Sequence, residues 1–205
     1  MRRPWAHTPG EMPVDPKDLQ ARIAASTPQD TVRGLIFNAI FDAVEEHLGK
    51  PAALACDPAG KAHRTDFFSF PVSEFLTIIG RAVDLLEPEL GSTDRGFFEV
   101  GYRAVANVFG STLGATILAL AGRNPRAILG QTPTAYRGTV SYGERRLQWL
   151  GERHARLTFV RDFLVPPFHC GVLTAAVEGL GAKNPHATGT QVSLLEATYE
   201  VTWEA

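Results

Sequence analysis

Apolar and polar residues alternate along two stretches near the end of the chain, and a period of two predicts half-buried antiparallel strands. In the first stretch, residues 146–150 and 155–161 flank Gly151-Glu152-Arg153, which is typical of a hairpin loop. In the second, residues 191–194 and 198–204 alternate in the same way. The predicted inward side chains are Leu147, Trp149, Leu157, Phe159, Val192, Leu194, Tyr199, Val201 and Trp203. The pattern therefore predicts two hairpins that form one four-stranded antiparallel sheet.

A helix is predicted between the hairpins, over Pro167–Gly181. Proline favours the first turn of a helix and glycine its end. Gly171, Ala175 and Gly179 recur at every fourth position, so one face of this helix is nearly bare. A bare face lets a neighbouring backbone approach closely, and a bulky substitution on it should overpack the contact.

The preceding chain has the apolar periodicity of helices. One helix is predicted to follow a cap at Thr27 and to stop at Gly49, and another covers 72–86. A long helix starts at Ser92 or Thr93 and runs on through the uncharged stretch 104–122, and a short one follows Asn124-Pro125. Residues 50–70 and 131–143 are predicted to be irregular connections. Residues 1–26 are predicted to form a loose arm in which 16–25 allow a short helix, and 27–205 are predicted to form a single α+β domain with N-terminal helices packed on the sheet.

Composition limits the classes of function. The 205 residues carry a net charge of −2, so no basic field favours nucleic acid. Two cysteines are too few for a disulfide framework, and no metal-ligand spacing is present. The first residues lack the apolar core of a signal peptide, which favours a cytoplasmic protein. The uncharged stretch 104–122 approaches the length of a membrane span, but its glycines and polar residues favour a buried helix.

Catalytic motifs are absent from the sequence. It has no glycine-rich phosphate loop and no Gly-x-Ser-x-Gly elbow. The adjacent pair His169-Cys170, at a predicted helix start, allows a ligand-contacting imidazole, a haem ligand or an activated thiol. The alternative is a partly buried pair at the helix start that neither binds a ligand nor takes part in a reaction. Four aromatic residues complete the candidate ligand-binding set beside His169 and Cys170, although such aromatics are more often part of the core: Phe37, Phe41, Tyr102 and Trp149.

The order of elements and several short motifs resemble a known family. The motifs are Thr31–Asn38, Tyr102–Gly114, Asn124–Arg126, Pro133–Tyr136, Phe168–Leu173 and Tyr199–Trp203. Over roughly residues 27–204 they resemble the myxobacterial DUF2378 family, which has no assigned activity. A more distant resemblance is to vinyl-reductase-type sensor domains, haem-NO-binding domains and small TRAPP subunits.

The distant resemblance implies helices before two hairpins and binding of small hydrophobic effectors, haem or protein partners, commonly as dimers. Two departures matter. Residues 171–205 contain no cysteine, so the zinc cluster of the vinyl-reductase-type domains is not implied, and residues 141–145 do not match the Tyr-x-Ser-x-Arg motif of the haem-NO-binding domains. We therefore expect a non-catalytic bacterial signalling module, sensor or adaptor, that binds a small hydrophobic ligand or a partner protein as a homodimer without a resident cofactor. The alternatives are a haem-based gas sensor using His169 and an enzyme with Cys170 as its nucleophile.

Overall fold

The structure, a computed structural model, describes residues 16–61, 63–122 and 124–204. The N-terminal half is helical except for two short paired strands, and the C-terminal half contains the sheet. In chain order the elements are α1 (Pro16–Ala25), β1 (Thr31–Arg33), α2 (Gly34–Leu48), α3 (Lys50–Cys56), β2 (Ser69–Pro71), α4 (Val72–Leu90), α5 (Thr93–Phe109), α6 (Thr112–Ala121), α7 (Pro125–Gly130), α8 (Thr132–Thr139), β3 (Glu144–Gly151), β4 (His154–Val160), α9 (Pro166–Glu178), β5 (Lys183–Ser193) and β6 (Glu196–Glu204). The loose arm predicted before residue 16 lies outside the described residues.

The predicted hairpin–helix–hairpin arrangement is confirmed. Strands β3, β4, β6 and β5 lie side by side in that order, and every pairing is antiparallel. Their inner face is apolar, since Leu157, Phe159, Tyr199 and Val201 are each 0% exposed. The outer face is polar and carries an ion pair of Arg156 with Glu200 at 2.6 Å.

Two details of the second hairpin differ from the prediction. Val192 is 59% exposed, because the register shifts between Gln191 and Ser193 and turns the intervening side chain outward. Strand β5 also begins earlier than predicted, at Lys183. Its first half has few apolar residues, so alternation could not reveal it.

The helix predicted from Thr27 begins later, at Gly34. Thr27 does not cap it; its backbone N–H and hydroxyl instead bond to the Asp30 carboxylate at 2.9 and 2.8 Å. Residues 31–33 form β1, which pairs with β2. A Cβ at Gly34 would collide with the backbone carbonyl of Thr65, so a larger residue there would force the backbone to shift.

Four elements correct the prediction of irregular connections and of one long helix. The stretch 50–70 contains α3 and the start of β2, and 131–143 contains α8. The long helix is broken at Gly110, and α6 starts afresh with the Ser111 hydroxyl accepting from the Gly114 N–H at 3.1 Å. Among the described residues, none of the helices has both the length and the apolar character needed to span a membrane.

The bare face predicted for the helix between the hairpins packs against α5. A Cβ on Gly171 would collide with the carbonyl oxygen of Phe98, and one on Gly101 would collide with that of Phe168. Since the two helices touch backbone to backbone, α9 is fixed between α5 and the sheet. That position determines what its other side chains meet.

Candidate functional site

His169 lies near the start of α9 and is 0% exposed. Aromatic rings surround it: its ring centroid lies 4.8 Å from that of Phe159 and 5.4 Å from that of Tyr199. The rings of Phe168 and Tyr136 lie at 5.4 and 5.6 Å. The prolines that begin α9 therefore position an imidazole inside the core, between the helix and the sheet.

Both nitrogens of His169 are hydrogen-bonded. Nε2 lies 3.1 Å from Oδ1 of Asp162, and Nδ1 lies 2.7 Å from the hydroxyl of Tyr136. A carboxylate only accepts hydrogen bonds, so Nε2 carries the proton and Nδ1 accepts from Tyr136. The three residues form one directed chain, which we call the Tyr136–His169–Asp162 chain.

Asp162 ends this chain as a buried carboxylate. Its Oδ1 also accepts from the backbone N–H of Leu164 at 2.9 Å, and its Oδ2 forms an ion pair with Arg145. Burial alone would raise the pKa of Asp162, but His169, Arg145 and the Leu164 N–H hold it well below its usual range. Asp162 is therefore ionised and balanced by Arg145.

The remaining members of the chain are neutral. Burial lowers the pKa of His169, and the attraction of Asp162 only partly opposes this. Burial and the charge of Asp162 raise the pKa of Tyr136 well above its usual value. The guanidinium of Arg145 lies 4.6 Å from the centroid of the Tyr136 ring. Such a chain fixes a tautomer and ring orientations and provides no ionised nucleophile.

A small cavity of about 90 Å³ lies beside the chain. Its walls come mainly from α5, α8 and α9, and they are almost entirely apolar. Tyr136 belongs to both structures: its ring lines the cavity and its hydroxyl bonds to His169. The lining residues are Ile36, Ala104, Val105, Val108, Phe109, Ile128, Thr132, Ala135, Tyr136, Thr139, Val140, Leu164, Phe168, Val172, Leu173 and Ala176.

The candidate residues from the sequence do not converge on this cavity. Phe37 and Phe41 pack in the helical core around the Arg64 guanidinium, at 5.6 and 5.8 Å. The Tyr102 hydroxyl donates to Glu178 at 2.6 Å. Trp149 lies under Arg126 in a separate open groove of about 810 Å³. A ligand-binding role for these four residues stays a prediction.

The two cysteines are buried and not joined by a disulfide. Cys170 is 3% exposed and Cys56 is 0% exposed, and burial raises the pKa of Cys56 to about 11. A thiol reagent reaches such sites only when the protein opens. In the described part of the chain, no cluster of histidine, cysteine and acidic side chains is arranged to hold a metal ion.

Sequence reasoning missed three residues of the site: Tyr136, Arg145 and Asp162. Two of them left a readable signal. Arg145 occupies an inward position of β3 by its period, and Asp162 interrupts the apolar run Phe159 to Val165. A charge at an inward position predicts a buried partner. Tyr136 belongs to the motif Pro133–Tyr136, but residues 131–143 were predicted to be an irregular connection. Without the helix α8, the side chain of Tyr136 could not be assigned to the core.

Several solved structures of H-NOX proteins share this arrangement of helices and sheet. An unliganded Fe(II) H-NOX protein from K. algicida superposes with a TM-score of 0.65 at 12% identity, over 84% of this chain and 97% of that one. An oxygen-binding H-NOX domain related to soluble guanylate cyclases gives 0.62 at 10% identity, over 84% and 95%. An Fe(II) H-NOX protein from S. oneidensis gives 0.61 at 14%, over 84% and 96%. The chain has the H-NOX fold.

Residues 25–204 match the family model described as a protein of unknown function, DUF2378. The chain therefore belongs to the DUF2378 family, as its motifs suggested. None of the curated proteins matches it. Helix α1 lies almost wholly before the matched region, which begins at its last residue.

Proposed function

We propose that this protein is a sensor module that binds a small, uncharged, apolar molecule in the cavity between α5, α8 and α9. The single observation that carries the proposal is the cavity itself, an apolar, partly open space of about 90 Å³ between helices of an H-NOX fold. Engineered apolar cavities of roughly 150 Å³ stay dry and bind benzene or xenon. A ligand with hydrogen-bonding groups would lose its water without gaining partners on these walls.

Benzene is a direct probe of this proposal. At a free concentration tenfold above its dissociation constant it should raise the free energy of unfolding by about 1.4 kcal/mol, measured by urea unfolding of the full chain. Ala176→Leu places three more carbon atoms against the cavity and should abolish the effect. Ala115→Leu changes an exposed position on α6 and serves as the control. No stabilisation of the wild type, or equal stabilisation of Ala176→Leu, would contradict the proposal.

A haem-based gas sensor is the second candidate, and the fold favours it, because the structures it resembles include Fe(II) and oxygen-bound H-NOX proteins. The residues of this chain do not fit haem as they are arranged. Ligands of drug size occupy roughly 300–1,000 Å³, several times the volume of this cavity. Haem iron needs a histidine, cysteine, methionine or tyrosine ligand, and among the lining residues only Tyr136 is of these types. The nearest imidazole, His169, has both nitrogens bonded.

Haem titration separates the two candidates. Under the main proposal, the purified full chain shows no stoichiometric Soret band after addition of haem. A one-to-one Soret band that Tyr136→Phe or His169→Gln shifts would favour the haem sensor instead.

The enzyme hypothesis is tested by the labelling rate of Cys170, which must exceed that of a free cysteine if the thiol is a nucleophile. The homodimer and the partner protein stay predictions, and light scattering tests the first.

A further inference from the structure

Helix α1 is held by one buried arginine. Arg22 is 2% exposed and is the only buried residue among the described side chains of α1, while Leu19 and Ile23 pack half-buried against the helical core. An arginine is costly to bury unless its donors are all used. Arg22 must therefore find its partners in the body of the domain.

Two of those partners lie on the linker between β4 and α9, residues 161–165, and a third lies on β5. Nη1 of Arg22 donates to the backbone carbonyls of Asp162 and Leu164, each at 3.3 Å. Nη2 donates to the side chain of Gln191 at 3.0 Å, and Nε donates to Asp18 at 2.9 Å. The docking of α1 thus depends on where the linker carbonyls lie.

The turn after α1 also binds this linker, through an ion pair between Asp30 and Arg161. Arg161 has a φ of 54°, in the left-handed region, and its guanidinium makes two bonds to the Asp30 carboxylate at 2.6 and 2.9 Å. A non-glycine residue keeps this conformation only where its surroundings impose it. Residues 22 and 30 therefore hold the linker at two points.

Two linker residues are connected to the cavity, one as part of its wall and the other through hydrogen bonds. The side chain of Leu164 lines it, and the side chain of Asp162 ends the chain that begins at Tyr136 on its wall. The backbone carbonyls of both residues accept from Arg22. A change at the cavity wall that shifts the backbone of either residue also shifts an acceptor of Arg22.

We propose that the Tyr136–His169–Asp162 chain couples the cavity to the docking of α1, with Arg22 as the residue that senses the linker. The ligand-driven part of this coupling rests on the function proposed above. Coupling is reciprocal, so a ligand that alters α1 docking is itself bound differently when α1 is loosened. Helix α1 is then the output of the sensor.

Hydrogen exchange of α1 amides in the full chain tests the coupling without a ligand. Tyr136→Phe removes one hydroxyl and should speed exchange in α1 about fivefold, the size of one net hydrogen bond. Tyr102→Phe removes a hydroxyl bonded to Glu178, outside the chain, and is the matched control. Leu164→Ala perturbs the same linker by a second route and should act in the same direction. Exchange in Tyr136→Phe that is no faster than in the control overturns the proposal, and a faster exchange in Leu164→Ala alone would show only that the linker holds α1.

A double-mutant cycle with Arg22→Gln distinguishes coupling from general destabilisation. Once Arg22 no longer grips the linker, adding Tyr136→Phe should speed α1 exchange no further. Independent, additive effects overturn the coupling.

The last experiment adds benzene to the wild type. Benzene that binds without altering the exchange of α1 amides overturns the coupling and leaves the cavity proposal intact. A non-additive cycle without benzene binding supports the coupling and contradicts the cavity proposal.

Discussion

The two faces of α9 make contact in different ways, one through its backbone and the other through a polar side chain. Toward α5 the helix is bare, and Gly171 brings its backbone against the carbonyl of Phe98. Toward the sheet it carries His169, whose two nitrogens join a tyrosine and a buried carboxylate. The first face is close-packed and uncharged, while the second contacts a buried charge, Asp162 of the preceding linker, that is balanced by Arg145.

The difference shows where the molecule is able to respond. A packed backbone contact has one low-energy arrangement, because neither helix has side chains to rearrange there. A hydrogen-bonded chain changes when any member loses its partner. The same helix thus has a face that fixes its position and a face that, under the proposed coupling, reports on the cavity beside it.

The strongest test of the polar face is Asp162→Asn. The amide keeps the shape but leaves the Arg145 cation buried without its counter-charge, which should lower the free energy of unfolding by about 3–5 kcal/mol. Urea unfolding at pH 7 measures the loss. A loss below about 1 kcal/mol, typical of exposed pairs, would show that Arg145 reaches solvent or another partner.

The bare face is tested by Gly171→Ala. The added Cβ would collide with the Phe98 carbonyl and lie 2.8 Å from the Tyr102 amide nitrogen, so α5 and α9 must separate. Overpacking typically costs about 1–3 kcal/mol and alanine regains up to about 1 as a better helix former, so we expect a net loss of up to about 2 kcal/mol in urea unfolding. Gly130→Ala is the control, because a Cβ there meets nothing within 4 Å. Equal effects of the two substitutions would contradict the backbone contact.

The pH dependence of stability tests the neutral state of His169. In the unfolded chain the imidazole takes up a proton near pH 6.5, whereas burial keeps the pKa of the folded residue lower. The unfolded state binds the proton first, so the free energy of unfolding falls below pH 6.5 by at most about 1.4 kcal/mol per pH unit. Asp162 adds a second loss, with the same sign, only as the pH falls below its ordinary value of 3.8.

Substitution of His169 identifies the group responsible for the upper part of this slope. Urea unfolding of His169→Gln at pH 7.5, 6.5 and 5.5 should give a shallower dependence than the wild type, even though the variant is less stable throughout. Parallel curves for the two proteins would assign the slope to other groups and contradict a depressed pKa at His169.

The smallest effect belongs to the outer face of the sheet. Glu200 receives hydrogen bonds from Arg156 and His154, but its side chain is 40% exposed. Exposed ion pairs contribute roughly 0–1 kcal/mol, so Glu200→Gln should change the free energy of unfolding by less than about 1 kcal/mol. A loss as large as that of Asp162→Asn would remove the contrast between buried and exposed carboxylates.

The fold was largely readable from the sequence, and the site only partly. Period-two alternation located β3, β4 and β6, and the fourfold spacing of Gly171, Ala175 and Gly179 located the packed face of α9. His169 was recognised as a candidate from its type and place. Its partners were not, because Tyr136 and Asp162 lie 33 and 7 residues away along the chain, and neither distance corresponds to a motif.

The sequence alone determined the alternation that makes one face of each strand apolar and the small residues that let α5 and α9 touch. Both are local properties, set by the order of side chains along one element. Only the tertiary structure decided that Arg22, Asp162, His169 and Tyr136 would meet, and that a cavity would remain beside them. Burial requires these hydrogen bonds and ion pairs, because a charge or an imidazole that is removed from water is costly unless the fold provides a partner for it.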